Sequence, residues 1–483
     1  MKKAGIAVAV VVALGLAGTA GAWYTGTQME DVLRDAVAHS NEQIDEAFPD
    51  GSVTLELADF ERGVFSSTAR YDFVYPGGED QGPVTVTIID RLVHGPFPLS
   101  RLKQLKLVPV MATSEAVLER SDYLAPLFAA SGEQPPVVIT STLGYGSSIN
   151  GNFAVAPLVF DDEEMKAEFS PVTLEFATDV AGDAVLLDGR SDGMRLTAQT
   201  EAGQPFTLEM SNITLFADRH RGTSDFYLGE GRMAVETLRL EGEPGSTLVF
   251  EGLAQTDTLT EDAGNLAGTL KFDLAKATYQ DHELGSAGMN WSFSRLDQVA
   301  AREINELYNQ QALSVYQGEE PPEQSERWRD AIATMLAAQP QLALDLLVIR
   351  TPNGESRARA EVMLASPESF DVPAAQLVPQ LLSRVDAHVQ LSRPMLRDVI
   401  MYKALFEPGA DPEAVALEAE VMVQMLAGMA ETTRLARQEG DNLVTSLVYS
   451  DGSIMLNGKA IPAEAMQGML ALFSPASQEA AAE

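Results

Sequence analysis

Between Gly51 and about Trp291 the apolar residues of this chain recur at every second position, and that constrains the fold more than any other feature. Val53, Leu55 and Leu57 alternate with Thr54, Glu56 and Ala58, and Val84, Val86 and Ile88 alternate with threonines. The same period runs through Val172-Leu174-Phe176, Phe206-Leu208-Met210, Leu238-Leu240 and Leu270-Phe272-Leu274. Successive strand residues point to opposite faces, so the pattern describes an antiparallel sheet with one apolar and one polar face. Pro76-Gly77-Gly78, Asp188-Gly189, Asp192-Gly193 and Glu243-Pro244-Gly245 supply turn signals. A sheet of this extent must close, stack, curl or be covered, and a large curved antiparallel sheet is the expectation. One helix is predicted to interrupt it, over Ser114–Phe128.

Ahead of the sheet stands a different kind of segment. Met1-Lys2-Lys3 is basic, and no charged residue follows from Ala4 to Ala22. Ala4 to Tyr24 is about the 20 residues that a bilayer core requires. Trp23 and Tyr24 suit the membrane–water interface, and the two lysines place the N-terminus on the cytoplasmic side. The expectation is a signal anchor over 1–24; a secretory peptide cleaved after Ala20-Gly21-Ala22 is the alternative. Either places the remainder outside the cytoplasm: in the first reading, a single-pass inner-membrane protein with its body in the periplasm. Met29, Val32, Leu33, Ala36, Val37 and Ile44 continue at helical spacing, which predicts an amphipathic stalk helix over 25–50. That helix either stands the body off the bilayer, dimerises, or packs on its own domain.

After Trp291 the period turns helical. Leu296, Val299, Ile304, Leu307 and Tyr308 form one stripe, and Glu326–Ala338, Val372–Leu382 and Pro394–Phe406 read as further helices. Leu342–Arg350 and Arg357–Leu364 flank Asn353-Gly354, a hairpin signal. The strongest helix is Pro412–Glu439, capped by Asp411 and stopped by Gly440. Its stripe Val421, Met422, Met425, Leu426 and Met429 is expected in the core; an adaptable binding groove is the other reading of such methionines. A hairpin over Leu443–Leu456, a short helix over Ile461–Phe473 and a frayed tail from 475 close the chain. The predicted class is therefore α+β: an N-terminal transmembrane helix, a curved sheet over 51–292, and a mixed helical half over 293–474 ending in a hairpin.

The formal charge, 33 − 70 = −37, excludes nucleic-acid binding, because phosphates are repelled. With no cysteine there is no disulfide, thiolate ligand or cysteine nucleophile. The five histidines, His39, His94, His220, His282 and His388, include no i, i+4 pair. His282 lies between Asp281 and Glu283, but adjacent strand residues face apart. Asp161-Asp162-Glu163-Glu164 lacks the glycine-spaced loop of a calcium site and reads as a solvated turn. His94-Gly95-Pro96-Phe97 reads as a tight turn with Phe97 plugging the core; His94 as a site residue at a loop edge is the other reading. No nucleophile elbow or phosphate loop occurs. No catalytic, cofactor-binding or metal residue is assigned, and no cofactor is implied.

Four landmarks in order carry a resemblance: Gly21-Ala22-Trp23-Tyr24-Thr25-Gly26, Glu61-Arg62-Gly63-Val64-Phe65-Ser66-Ser67, His94-Gly95-Pro96-Phe97-Pro98, and Asp451-Gly452-Ser453-Ile454-Met455-Leu456-Asn457-Gly458-Lys459. Together they resemble the bacterial YdgA family of membrane-anchored envelope proteins, whose function is unknown. The resemblance implies an inner-membrane anchor and a periplasmic body, and supplies no catalytic residues. The functional expectation is a non-enzymatic binding or scaffold protein of the envelope, with lipid or another envelope protein as partner. One alternative is a lipid-handling groove lined by residues such as Phe176, Leu208 and Phe272; another is a periplasmic hydrolase using Asp and Glu. Oligomeric state is not fixed by the sequence.

Overall fold

The period-two pattern becomes strands, and it does so far beyond Trp291. The computed structural model describes the chain from Leu33 to Ile461, apart from 35–36, 39, 42–43, 45–52, 64–65, 76–81, 95–97, 99–100, 102, 163–164, 180, 201–202, 243–245, 318–324, 408 and 451. The chain divides into two units, 1–243 with 306–323, and 244–305 with 324–483.

The first unit is an antiparallel meander. Its strands are β1 (Thr54–Arg62), β2 (Ser66–Tyr75), β3 (Val84–His94), β4 (Ala112–Leu118), β5 (Val137–Leu143), β6 (Ser148–Val155), β7 (Leu158–Asp161), β8 (Met165–Phe169), β9 (Val172–Asp179), β10 (Ala184–Gln199), β11 (Pro205–Arg221) and β12 (Tyr227–Glu241). Each of β1 to β5 pairs with the next, β6 pairs with β9, and β9 to β12 follow in sequence. β7 pairs with β8, which lies on the second half of β10.

The core of this unit sits on β1–β3. On β2, Ser67, Ala69, Tyr71 and Phe73 are buried in alternation, and on β3 Val86, Ile88, Asp90 and Leu92 are. Each large apolar side chain there is worth about 1.5–3 kcal/mol of burial. Leu33, Val37 and Ile44, which have helical backbone, are buried in the same cluster. The Asn41 amide donates to the Leu55 carbonyl and accepts from the Leu55 N–H, both at 2.8 Å. It thus satisfies the Leu55 backbone on the outer edge of β1.

The predicted helix over Ser114–Phe128 is corrected. Ala112–Leu118 is β4, and only Ala125–Ala130 (α1) is helical. The small residues Ala112, Ser114 and Ala116 suit a helix by propensity, but they alternate and pack tightly in a central strand, so tertiary context decides. Asp188-Gly189 and Asp192-Gly193 are not turns either; both lie inside β10. At Gly193 φ is +146°, and a Cβ would stand 2.0 Å from the Met210 carbonyl oxygen. The glycine serves close approach of two strands.

The second unit repeats the meander with β13 (Thr247–Asp262), β14 (Asn265–Tyr279), β15 (His282–Asp297), β16 (Gln341–Thr351), β17 (Gly354–Leu364), β18 (Leu382–Ser392), β19 (Arg437–Glu439), β20 (Asn442–Ser450), β21 (Ser453–Leu456) and β22 (Lys459–Ile461). β13 to β18 pair consecutively, and β18 pairs with β20. On the other side of β20 lie β19 and β21, and β21 pairs with β22. Helices are insertions between strands: α2 (Gln298–Gln317, divided between the units at Asn305), α3 (Ser325–Ala337), α4 (Ala374–Leu381), α5 (Arg393–Met401), α6 (Lys403–Phe406) and α7 (Pro412–Thr432).

The expected α+β class is therefore corrected to a mostly β protein without a helical C-terminal half. Seven strands run from Gln341 onward among the described residues, and Leu296, read as helical, pairs with Leu266 in the sheet. Among the described residues no helix is long and apolar enough to cross a membrane; the predicted transmembrane segment over 1–24 lies outside them, as do Pro76–Gly78, Glu243–Gly245 and the helix beyond Ile461.

Helix α7 begins as expected, with Asp411 accepting from the Glu413 N–H at 3.0 Å. It ends at Thr432, and Gly440 instead turns the β19–β20 hairpin. Its buried face is Val415, Ala419, Val423 and Ala427, against α5 and β19. The stripe Val421, Met422, Met425, Leu426 and Met429, expected in the core, is exposed. Small residues let α7 approach its neighbours closely, and the bulky side chains are turned outward.

Candidate ligand-binding site

Cross-strand partners share a face, and so do residues i and i+2. In the second unit these two rules assemble continuous apolar rows. One runs Phe293, Leu342, Val362, Val385, Tyr449; the next Leu270, Trp291, Leu344, Ala360, Ala387, Leu447; the third Phe272, Met289, Leu347, Ala358, Val389. They cross β14 to β18 and reach β20, a span of roughly 24 Å at about 4.8 Å per strand. This face is not a closed core: Phe272 is 36% exposed, Trp291 43%, Leu342 42% and Val389 40%. At one corner the Tyr449 hydroxyl donates to the Pro379 carbonyl of α4 at 3.3 Å, and there Tyr449 is buried.

The first unit carries a smaller patch of the same kind. Met194 and Leu196 on β10 stand opposite Met210 and Leu208 on β11, which stand opposite Leu238 and Leu240 on β12. All six are half-buried. The reverse face carries Arg195, Glu209 and Arg239 in one row, with an Arg195–Glu209 ion pair at 2.9 Å. Of the residues expected to line a groove, Leu208 is in this patch and Phe272 in the larger face. Phe176 instead packs on the first unit's core clusters, over Gly151. A Cβ at Gly151 would meet the Phe176 ring at 2.2 Å, so the glycine creates the seat for the ring.

A polar cavity of about 600 Å³ opens elsewhere on the first unit. Along β5 and β6, Ile139, Leu143 and Ile149 are buried in apolar clusters. The intervening Thr140 and Thr142 face Asn152 and Asn150, and Asn152 stands opposite Glu175 on β9. These polar residues line the cavity, and the loop after β3 adds Arg101, Lys106 and Val108 to its wall. The Arg101 Nε is buried without a hydrogen-bond partner among the described residues. Among the described residues the cavity wall holds a single carboxylate, Glu175, whereas glycoside hydrolysis uses two. Two cations and a row of amides and hydroxyls suit recognition of an anionic polar group. Sequence reading missed these residues because they come from three strands and a loop.

Among the described residues the histidines do not form a site. His94 Nε2 lies 3.1 Å from the Ser67 Oγ, and burial lowers the His94 pKa, with Arg62 acting the same way. Ser67 is buried on β2, out of reach of a substrate, which excludes it as a nucleophile in this state. Among the described residues no cluster of His, Asp or Glu could hold a metal ion. Asp162 caps the β7–β8 turn by accepting from the Met165 N–H at 2.8 Å; Glu163, Glu164 and Phe97 lie outside the described residues.

These features define a class: an antiparallel β protein with open apolar sheet faces and a polar cavity. The chain belongs to a family described as a bacterial protein of unknown function, DUF945, whose model matches residues 1–464. It is similar to Protein YdgA of Escherichia coli strain K12, with 27% identity over 98% of this chain and 97% of that one. It is also similar to the uncharacterized protein YihF of the same organism, with 21% identity over 95% of this chain and 97% of that one. The family resembled by the landmark residues is thus the family of the chain. No solved structure matches it.

Proposed function

We propose that this protein binds lipid in the cell envelope, directed to the membrane by residues 4–24 with its body in the periplasm. The observation that carries the reading is the apolar face of the second unit, half open across β14–β20. Helix α7 covers only one end of it, where Ala427 and Ala430 pack with Leu391 and Leu443, and leaves the stretch around Phe272, Trp291 and Leu342 open. Monomeric soluble proteins rarely expose a large contiguous apolar patch without using it, and flat rows of Leu, Val, Phe and Trp suit acyl chains. The basic N-terminus followed by about 20 uncharged residues supports the membrane location. The activity is binding, with no chemical step.

Extraction and mass spectrometry of lipids from the purified full chain test the proposal. Stoichiometric lipid that is lost in a Trp291→Asp, Leu344→Asp variant supports it. A lipid-free, folded protein overturns it.

A further inference from the structure

The loop between β3 and β4 reverses the charge character of the whole chain. From Arg91 to Ser114 there are 24 residues without an acid, in a protein where acids outnumber bases 70 to 33. Within that run Arg101, Lys103 and Lys106 are interleaved with Leu105, Leu107 and Val108. The three apolar residues are 83%, 66% and 71% exposed. Tyr145, in the neighbouring β5–β6 turn, is exposed as well and lines the same cavity as Lys106 and Val108.

The backbone fixes this arrangement. The Gln104 and Lys106 N–H groups both donate to the Arg101 carbonyl at 3.0 Å, closing one turn, and Leu105 takes φ +57°. The second of these bonds, six residues to one, is that of a helix-terminating motif whose left-handed position favours glycine or asparagine. A leucine there carries local strain and gains no burial within the chain. A leucine at a strained, exposed position is explained when something apolar receives it.

We propose that the tip 103–109, with Tyr145, docks on an anionic bilayer surface. The occupant is chosen by charge complementarity. Lysines flanking exposed leucines, with a tyrosine beside them, match the layered chemistry of headgroup and acyl boundary. The chain as a whole, at −37, is repelled by the same surface. Within the first unit, contact with such a surface is therefore favoured at this tip. Among the described residues, no acid forms an ion pair with Lys103 or Lys106, so both are available to lipid phosphates. The cavity behind the tip, with Arg101 and Lys106 in its wall, lies where a headgroup would be received. The proposal stands on different residues from the lipid-binding face and does not depend on it.

Because the chain contains no cysteine, a single Leu107→Cys carries an environment-sensitive fluorophore without competing labels. The full chain is reconstituted into phosphatidylcholine vesicles with or without phosphatidylglycerol, and quenching by nitroxide-bearing lipid is recorded. The expected result is blue-shifted emission and lipid quenching in the anionic vesicles alone, reversed by high salt. Each lysine near such a surface is worth about fivefold in association, so Lys103→Gln with Lys106→Gln lowers tip insertion roughly 25-fold. A second label at Tyr145→Cys should respond in parallel. Emission that is the same in both vesicle types and unquenched overturns the proposal. A blue shift without lipid quenching also overturns it, since the tip would then rest on protein.

Discussion

Replacing Asp90 by asparagine should change how the stability of the first unit depends on pH. Asp90 lies on β3 and is fully buried, between Ala69 and Ala116 on the paired strands. Ser114 Oγ donates to its Oδ1 at 2.6 Å, while Oδ2 has no partner among the described residues. Burial drives its pKa up to about 7 from 3.8, and the Ser114 bond opposes this only in part. The folded pKa is raised, so between about pH 4 and pH 7 the folded state holds a proton that the unfolded state has released. Stability from this group is present at low pH and falls as pH rises through that window. The shift of about 3 pH units, at 1.36 kcal/mol each, corresponds to roughly 4 kcal/mol. An asparagine side chain does not ionise. The Asp90→Asn variant should therefore match or trail the parent near pH 4 and exceed it by up to roughly 4 kcal/mol at pH 8, less the cost of seating an extra amide donor. Because the chain has two units, one global transition is a poor gauge. Hydrogen-exchange protection of the β2–β4 amides reads the local free energy directly. Taking the variant-minus-parent difference at each pH cancels the titration of the other acids. A difference that stays constant from pH 4 to pH 8 refutes the reasoning.

Other substitutions test the packing account. Gly151→Ala forces its methyl into the Phe176 ring and within 2.5 Å of the Thr140 carbonyl oxygen; a loss of about 1–3 kcal/mol in urea denaturation is expected. Asn41→Ala removes both bonds to the Leu55 backbone and should cost about 1–3 kcal/mol, with faster exchange of the Leu55 amide. On α7, Met425→Glu should alter the free energy of urea unfolding by no more than about 0.5 kcal/mol, whereas Val423→Glu should unfold the C-terminal packing. Equal effects of the two glutamates would contradict the face assignment.

Much of the fold was legible where one physical signal acts alone. The alternation through Val53 and Leu55 at β1, and through Val86 and Ile88 on β3, states which face is buried. Asn353-Gly354 marks the β16–β17 turn, and Asp411-Pro412 marks the start of α7. Where two signals compete, the sequence misleads. Ala112, Ser114 and Ala116 look helical, yet a central strand needs their small size. On α7 the largest apolar residues suggest the buried face, but close helix packing selects Ala419 and Ala427 instead. Gly189 and Gly193 look like turn residues because a glycine needed for close strand approach is indistinguishable, locally, from one that reverses the chain. Of the candidate sites, the apolar rows were legible only in part, through Leu270-Phe272-Leu274 and the hairpin at Asn353-Gly354; the strand carrying Val385, Ala387 and Val389 was not, nor that the face remains open. The cavity was hidden, since Arg101, Thr140, Asn152 and Glu175 meet only through strand pairing. The acid-free run from Arg91 to Ser114 was the one signal that could have pointed to it.

In the proposed function the sheet face around Trp291 holds lipid in the cell. A photo-crosslinking amino acid placed at Trp291 in the full chain, irradiated in living cells and analysed by mass spectrometry, tests it most directly. The predicted result is an adduct with the mass of a membrane lipid at position 291 and none at Asn290, which lies on the opposite face. Adducts confined to protein, or lipid adducts of equal yield at both positions, would contradict it.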